Sequence, residues 1–303
     1  MKELENTHIL VVGDIMLDRY VIGAVHRISA EAPVPIVNVT KTYEVLGGCG
    51  NVAINLRYLG IHVSILASVG NDTAGQKIFD KLGSHNIQSY VFRASEQTTI
   101  KERIVAGERQ TQMLRIDRES TTPILFEELL PSLSELKEEK FDYIIISDYA
   151  KGFVTKELVD YLKTFNIPII ADPKPKNIFL YSNIFMITPN KKEFEEMGEK
   201  IHYATYTLIT MGRNGMKLFD LIERELKIIP STPVNVYNTA GAGDVVVATI
   251  SAAMAMGFKP YEAAVISNAC AAEAVTHTGT CVVDKNYFDK TVEAMGLEQT
   301  IKK

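Results

Sequence analysis

The sequence predicts an α/β protein built on a doubly wound, mainly parallel sheet with helices on both faces. Short apolar runs rich in β-branched residues recur along the chain, and helix-prone stretches separate many of them. The runs are continuous rather than alternating, which is typical of strands whose two faces are both covered by helices. The alternation of such strands with helices favours a parallel sheet.

The elements of this core are predicted in chain order. Strands are expected at 8–12, 63–68, 143–147, 168–171, 184–188 and 207–210. Helices are expected at 51–59, 74–82, 155–165 and 191–197, where the residues are amphipathic or helix-prone.

Two regions break this alternation and are interpreted as excursions from the core. Residues 20–46 contain Pro33 and Pro35, and residues 88–117 resemble short β segments with Gly107 at a hairpin turn. We expect the two regions to pair into a small β-sheet lid over one end of the core. The alternative is two long surface loops, which are uncommon in compact domains. Since the sequence shows no repeat or linker, residues 1–303 are expected to form one domain with this β appendage.

The composition excludes several classes of protein. The 303 residues are 46% hydrophobic and 23% charged with a formal net charge of −5, too balanced for a disordered chain or a general nucleic-acid binder. The three cysteines lack disulfide or zinc-ligand spacing. The N-terminus has no signal-peptide core, and the uncharged stretch 245–258 is too short to span a membrane. We expect a cytoplasmic protein without a membrane or nucleic-acid partner.

A glycine-rich loop, 238–244, stands directly before the uncharged helix-like run 245–256. Small residues ahead of a helix let its unpaired backbone N–H groups approach an anion, and the helix dipole favours a phosphoryl group there. Asp244 at the end of this loop is placed to take a proton from an attacking hydroxyl. The alternative is a plain turn in which Asp244 caps the helix.

Two further elements suit a hydroxylated ligand. Gly47 and Gly48 allow close approach to the backbone, and Asn51 offers a donor and an acceptor, although a plain helix entry gives the same pattern. Asp14 and Asp18 follow the first strand, where ligands of open α/β sheets bind; we expect Asp14 to be the better candidate, the alternative being turn-forming aspartates. Neither glycine cluster matches a P-loop or a dinucleotide fingerprint.

Together these residues resemble the ribokinase (PfkB) family of carbohydrate kinases. The resemblance rests on Asp244 in its GAGD sequence, the glycine entry before Asn51, the first strand followed by Asp14, and residues 188–190 with Glu193. Within that family, residues 13–20 and 27–35 are similar to the kinases that act on D-glycero-β-D-manno-heptose 7-phosphate. The resemblance implies an α/β core with a β lid, which in relatives often mediates dimerisation.

The resemblance also implies an activity. The γ-phosphate of ATP would pass to the anomeric 1-hydroxyl of the heptose 7-phosphate, giving the 1,7-bisphosphate for ADP-heptose and lipopolysaccharide precursor synthesis. Asp244 would be the base, with the loop from Gly241 and the backbone N–H groups of Ala242, Gly243 and Asp244 as the anion hole. The alternatives are a kinase of another sugar or sugar phosphate, and a catalytically silent sugar- or nucleotide-binding regulator.

The nucleotide-side residues follow from the same resemblance. Asn190 and Glu193 match an element that organises Mg²⁺, with Glu193 near the metal. Thr210, Gly212 and Gly215 resemble the strand and turn beside the nucleotide, although a plain hairpin is the alternative reading. The remaining positions are Asn268 near the adenine, Lys174 facing nucleotide phosphates, and Asp148 facing sugar or metal.

A phosphorylated sugar needs cations near its remote end, and the second excursion supplies three. Lys101 and Arg103 lie on one face of an extended strand because side chains alternate, and Arg115 follows. Arginine suits bidentate phosphate binding, so we expect at least one of the three to hold the 7-phosphate. The alternative is a solvated cationic strand.

The sequence departs from the family pattern at two informative places. Asn238 stands where the family usually has an aspartate beside a monovalent-cation site, so we expect weak or absent activation by potassium. The chain ends at Lys303, soon after the kinase pattern. We therefore expect a separate adenylyltransferase to act downstream, and a homodimer formed through the lid.

Overall fold

The computed structural model describes residues 2–94, 97–107, 111–198, 203–277 and 280–301. The strands are β1 (His8–Gly13), β2 (Ile15–Ile28), β3 (Pro35–Gly48), β4 (His62–Gly70), β5 (Gln88–Ala94), β6 (Ile100–Ala106), β7 (Thr111–Arg118), β8 (Tyr143–Ser147), β9 (Ile169–Asp172), β10 (Ile184–Ile187), β11 (Ala204–Thr210), β12 (Met216–Asp220) and β13 (Glu225–Ile229). The helices are α1 (Cys49–Tyr58), α2 (Thr73–Ser84), α3 (Phe126–Lys137), α4 (Lys156–Lys163), α5 (Lys191–Glu196), α6 (Ala242–Ala255), α7 (Pro260–Ala274) and α8 (Lys285–Ile301).

The core is a nine-stranded sheet with the strand order β13-β12-β11-β10-β9-β8-β1-β4-β5. The pairings from β5 to β11 are parallel, and β12 and β13 are added antiparallel at one edge. The strands and helices predicted for the core are all present, and the predicted mainly parallel architecture is confirmed.

Both faces of this sheet are buried. In β1, Ile9 and Val11 belong to a hydrophobic cluster with α1, α6, α7 and α8. Leu10 and Val12 point to the opposite face and join a cluster with α3 and α4. Because alternate side chains of one strand enter different clusters, its sequence has to be continuously apolar, as observed.

A second, smaller sheet has the strand order β3-β2-β6-β7, and its presence confirms the predicted small sheet. β2 pairs antiparallel with β3 and parallel with β6, so the two excursions do join. It connects to the core through very short joints, since only Asp14 separates β1 from β2 and β3 continues directly into α1. The sheet therefore begins at the carboxyl end of β1.

Two predicted boundaries of the excursions are wrong. β2 begins at Ile15, five residues before the predicted start, and residues 88–94 form β5 in the large sheet instead of part of the lid. Val91 packs on one hydrophobic cluster while Tyr90 and Phe92 pack on the other, so β5 gains burial on both faces as an edge strand. Gly107 ends β6 with a φ of 79°, and part of the predicted hairpin turn lies outside the described residues.

Within the described ranges, no helix combines the length and apolar character needed to cross a membrane.

Candidate active site

Asp244 lies in the first turn of α6, where the glycine loop turns into the helix. Gly241 precedes this helix in a left-handed conformation with a φ of 83°. A Cβ atom at Gly241 would lie 2.8 Å from the side-chain nitrogen of Asn51, so both the backbone angle and the space favour glycine. The loop thus brings α6 against the start of α1.

The N-terminus of α6 presents two backbone N–H groups. Gly243 and Asp244 have no hydrogen-bond acceptor for their N–H groups among the described residues. Ala242, predicted as a third donor of the anion hole, instead donates its N–H to the carbonyl of Thr239 at 3.2 Å. That prediction is corrected, because the turn before the helix already uses this donor.

The Asp244 carboxylate is buried and held by two side chains from elsewhere in the chain. Asn51 Nδ2 donates to Oδ2 at 2.7 Å, and the Tyr149 hydroxyl donates to Oδ1 at 3.2 Å. Burial raises the pKa of Asp244 to about 6, although these two hydrogen bonds lower it and Asp18 raises it further. A carboxyl group of this kind is ionised at neutral pH yet more basic than an ordinary aspartate, as a proton acceptor should be.

Asp18 lies on β2 and acts on the charge of Asp244. Arg103 on β6 donates to Asp18 Oδ1 at 2.7 Å, and a Cβ atom at Gly47 would lie 2.6 Å from Asp18 Oδ2. Lys101 lies nearby, with its ammonium 4.7 Å from the centre of the Tyr149 ring, and burial lowers its pKa. The lid therefore supplies Asp18 and Lys101, which both act on the charge of Asp244, and Arg103, which binds Asp18.

Asp14 lies beneath the loop that follows β8 and binds that loop. Its carboxylate accepts backbone N–H groups from Tyr149 at 2.8 Å, Lys151 at 3.1 Å and Phe153 at 3.3 Å. Asp14 is thus occupied by backbone donors, whereas Asp18 accepts from the side chain of Arg103 and acts on the charge of Asp244, so the geometry favours Asp18 over the expected Asp14 as a sugar ligand.

The Asp148 carboxylate is likewise occupied by hydrogen-bond donors of the protein. Its carboxylate accepts from Asn177 Nδ2 at 2.9 Å, from the Tyr181 hydroxyl at 2.7 Å and from the backbone N–H of Ala150 at 2.7 Å. The prediction that Asp148 faces sugar or metal is wrong, because these donors surround a side chain that is 1% exposed.

A cavity of about 440 Å³ extends away from the N-terminus of α6. It is lined by four of the predicted nucleotide residues, namely Thr210, Gly212, Gly215 and Asn268, together with Ala242 and Gly243. The expected turn at 212–215 connects the antiparallel strands β11 and β12. The segment is therefore a hairpin, as in the alternative reading, and it also forms part of the cavity wall. Asn268 donates to the carbonyl of Pro230 at 2.8 Å and so supports another part of this wall.

Lys174 and Asn190 follow the neighbouring strands β9 and β10, and Glu193 lies in the first turn of α5. Asn190 and Glu193 form a capping box at the start of α5, and Glu193 also pairs with Lys174. Burial would lower the pKa of Lys174, but Asp172 and Glu193 outweigh it and the pKa is raised. Burial raises the pKa of Asp172 to about 7.

The two arginines expected to hold a substrate phosphate each have a carboxylate partner. Arg103 pairs with Asp18, and Arg115 pairs with Asp117 at 2.6 Å on the exposed part of β7. Lys101 has no carboxylate within salt-bridge distance in the part of the chain that the structure describes.

The sequence placed Tyr149 in a loop, 148–152, that resembles a family element lining the site, but it assigned Tyr149 no role of its own. It missed the segment 231–236, which lines the cavity. Tyr149 gives no periodic signal because it lies in a loop. The missed segment contains one proline, Pro233, and belongs to no helix or strand, so neither helical nor strand spacing could place it.

Comparison with protein families and curated proteins gives one consistent match. The family described as "pfkB family carbohydrate kinase" matches residues 6–286. The chain is 35% identical to the bifunctional protein HldE of Campylobacter jejuni subsp. doylei, over 97% of this chain and 66% of that protein. It is 37% identical to the bifunctional protein HldE of Helicobacter hepaticus, over 92% of this chain and 62% of that protein. The chain spans about two thirds of the length of these relatives.

Solved structures agree on the fold. Phosphofructokinase-2 from Escherichia coli, in complex with potassium, superimposes with a TM-score of 0.79 at 18% identity, covering 96% of this chain and 99% of that one. Ribokinase from Arabidopsis thaliana, complexed with ribose and ATP, gives a TM-score of 0.72 at 19% identity, covering 95% and 99%.

Proposed function

Because the chain belongs to the pfkB family of carbohydrate kinases, we propose that it phosphorylates the anomeric 1-hydroxyl of D-glycero-D-manno-heptose 7-phosphate with ATP. The product would be the 1,7-bisphosphate, a precursor in ADP-heptose and lipopolysaccharide synthesis. The sugar assignment is supported by the resemblance of residues 13–20 and 27–35 to heptose phosphate kinases and by the HldE relatives.

One observation carries the proposal: the buried Asp244 carboxylate lies beside two N–H groups that have no acceptor among the described residues, at one end of a cavity of about 440 Å³. Asp244 takes the proton of the attacking hydroxyl, and the N–H groups of Gly243 and Asp244 stabilise the charge on the transferred phosphoryl group. Asp18, Asn51 and the backbone beside Gly47 hold the sugar. The cavity along 210–215 and Asn268 holds the adenosine part of ATP.

Magnesium is the metal that the family implies, and the acidic residues of the site can supply one or two of its ligands. The described residues contain no group of three or more metal-ligating side chains, so protein atoms alone do not form a closed site. Mg²⁺ commonly uses one or two carboxylates plus water and substrate phosphates. Glu193, with Asp172 near it, would hold the ion, which neutralises charge on the β- and γ-phosphates, while Lys174 contacts the same phosphates.

Lys101 is the cation that we assign to the substrate phosphate, because Arg103 and Arg115 are already paired with carboxylates. That same pairing favours a second candidate function, a kinase of an unphosphorylated sugar. The two functions differ in what removal of the Lys101 charge does. Lys101→Met raises KM for a sugar phosphate more than for the corresponding free sugar under the first proposal, and equally for both under the second.

Two further features complete the proposal. Residues 1–303 act as one kinase domain. Two copies associate through the lid, where apolar side chains are exposed, namely Ile28, Val34, Val39, Met113 and Leu114.

The test is a coupled ATP-consumption assay across free and phosphorylated heptoses and hexoses, with Asp244→Asn beside the wild type. Removal of the base is expected to lower kcat by about 10²- to 10⁴-fold on the preferred sugar. Asp160→Asn, an exposed carboxylate on α4, is the matched control and keeps normal turnover. Normal turnover by Asp244→Asn would show that another group accepts the proton, and preference for a hexose would remove the heptose assignment.

A further inference from the structure

We propose that Tyr149 is a positioning residue for the general base, with its hydroxyl fixing the orientation and the charge of the Asp244 carboxylate. This inference rests on the proposed function, because it assigns Tyr149 a role through Asp244. The motif around Asp244 does not contain Tyr149, which is 95 residues away in the chain and reaches the site from the loop after β8.

Both the backbone and the ring of Tyr149 are held by contacts within the protein. Its backbone N–H donates to Asp14 Oδ2 at 2.8 Å, which ties the loop to the end of β1. Its ring lies near two ammonium groups, that of Lys101 at 4.7 Å and that of Lys174 at 5.1 Å from the ring centre. Cations at these distances are attracted to the ring electrons. The hydroxyl is therefore aimed at Asp244 by contacts at both the backbone and the ring.

The two donors to Asp244 divide its oxygens between them. Asn51 uses Oδ2 and Tyr149 uses Oδ1, so rotation of the carboxylate would break one or both hydrogen bonds. Each carboxylate oxygen accepts more than one hydrogen bond, which leaves Oδ1 able to accept a substrate hydroxyl as well. Burial holds the pKa of Tyr149 well above its ordinary value, so the phenol remains a donor throughout the working pH range.

Other charged or titratable groups also act on Asp244, and each comes from a different element. They are Asp18 on β2, Lys101 on β6, Asp172 on β9, Cys49 on α1 and Cys281 before α8. Removal of the Tyr149 hydroxyl leaves these groups in place. A change measured in Tyr149→Phe therefore reports the hydrogen bond itself, since phenylalanine keeps the ring near Lys101 and Lys174.

The first test needs no substrate. Aspartate labelled with ¹³C at the side-chain carboxyl is titrated by NMR, and the signal lost in Asp244→Asn identifies Asp244. In Tyr149→Phe the pKa of Asp244 is expected to rise by about 0.5 to 1 unit, because a hydrogen bond to the charged form is lost. Tyr143→Phe, which removes a phenol at the opposite end of β8, leaves the pKa unchanged. An unchanged pKa in Tyr149→Phe overturns the proposal.

A second measurement covers the case in which Tyr149→Phe does not fold. Biosynthetic replacement of tyrosine by 3-fluorotyrosine makes each phenol more acidic and a stronger donor. The pKa of Asp244 is then expected to fall, the opposite direction to that of Tyr149→Phe. A fall supports the hydrogen bond, and no change overturns it.

The kinetic test follows kcat/KM against pH. In Tyr149→Phe the acid limb is expected to move upward by the same amount as the NMR pKa, giving up to about a 10-fold loss below pH 5.5 and a smaller loss at pH 8. If Tyr149 instead blocks the place of the substrate hydroxyl, the variant has a lower KM and a higher kcat/KM, which overturns the positioning role. If the wild type phosphorylates no sugar, the proposed function fails, and the NMR result still decides whether Tyr149 sets the pKa of Asp244.

Discussion

The buried carboxyl group of Asp244 lowers the stability of the folded protein. Burial raises the pKa of this carboxyl from 3.8 to about 6, so ionisation is harder in the folded chain than in the unfolded one. The folded state therefore loses stability as the pH rises through this range. The hydrogen bonds from Asn51 and Tyr149 reduce the loss without removing it.

Asp244→Asn is therefore expected to be more stable than the wild type above pH 7. The asparagine carries no charge to bury, so its free energy of unfolding is expected to exceed that of the wild type by about 1–3 kcal/mol. This difference is complete above pH 6 and disappears towards pH 4, where the wild-type carboxyl is protonated. Thermal melts of both proteins between pH 4 and pH 8 measure it. A gain that is the same at every pH would contradict this origin.

Asp14 and Asp18 illustrate what the sequence could and could not predict about single residues. The residue type and the position after a strand identified both Asp14 and Asp18 as candidates. What separates them is which donors surround each carboxylate, and those donors come from residues 149–153 for Asp14 and from Arg103 for Asp18. Neither set is close in sequence, so the sequence pattern could not rank the two.

Among the elements, the junction of β3 with α1 shapes the sugar side of the site. β3 ends in two glycines, and α1 begins at the next residue, so Asn51 lies in the first turn of this helix. A side chain at Gly47 would meet Asp18 and Met16 at 2.6 and 2.9 Å. The junction therefore needs a residue without Cβ for the sugar ligands to keep their places.

Gly47→Ala is expected to displace Asp18 from Arg103 and to lower kcat/KM for the sugar by about 10-fold or more, because small displacements of binding groups are costly. The effect should appear mainly in KM for the sugar, with KM for ATP nearly unchanged. Gly83→Ala on the exposed end of α2 is the control, since nothing lies within 4 Å of its Cβ position. Equal losses in the two variants would argue against a local effect at Asp18.

The elements could be predicted where the sequence pattern depends on burial alone. Strands buried on both faces, such as β1 and β8, are continuous apolar runs and were found. β5 was assigned to the lid because residues 88–117 resemble short β segments around a hairpin turn at Gly107, and only its pairing with β4 shows that it belongs to the core. Pairing partners distant in the chain have no local signal, so edge strands are the least predictable.

For the whole molecule, the lid is the proposed contact between two copies of the chain. Isolated apolar residues are normal on a surface, but the lid carries five large ones among its strands and turns. An apolar surface of this kind is best covered by a second copy of itself, which is the common arrangement for soluble homo-oligomers.

Ile28→Glu combined with Val39→Glu is expected to convert a dimer into a monomer, because the charges would be buried without partners at the contact. Light scattering after gel filtration measures the mass directly. Ile222→Glu, equally exposed at the turn between β12 and β13, serves as the control and stays dimeric. A monomeric wild type would refute the lid contact.

The short joints between the two sheets have a mechanical consequence. One residue, Asp14, links β1 to β2, and no residue separates β3 from α1. Asp14 also holds the loop that carries Tyr149, and α1 carries Asn51, so each joint ends at a side chain that touches Asp244 or supports one that does. Because these connections contain no flexible linker, a rotation of the small sheet relative to the core would also displace the side chains that orient the Asp244 carboxylate.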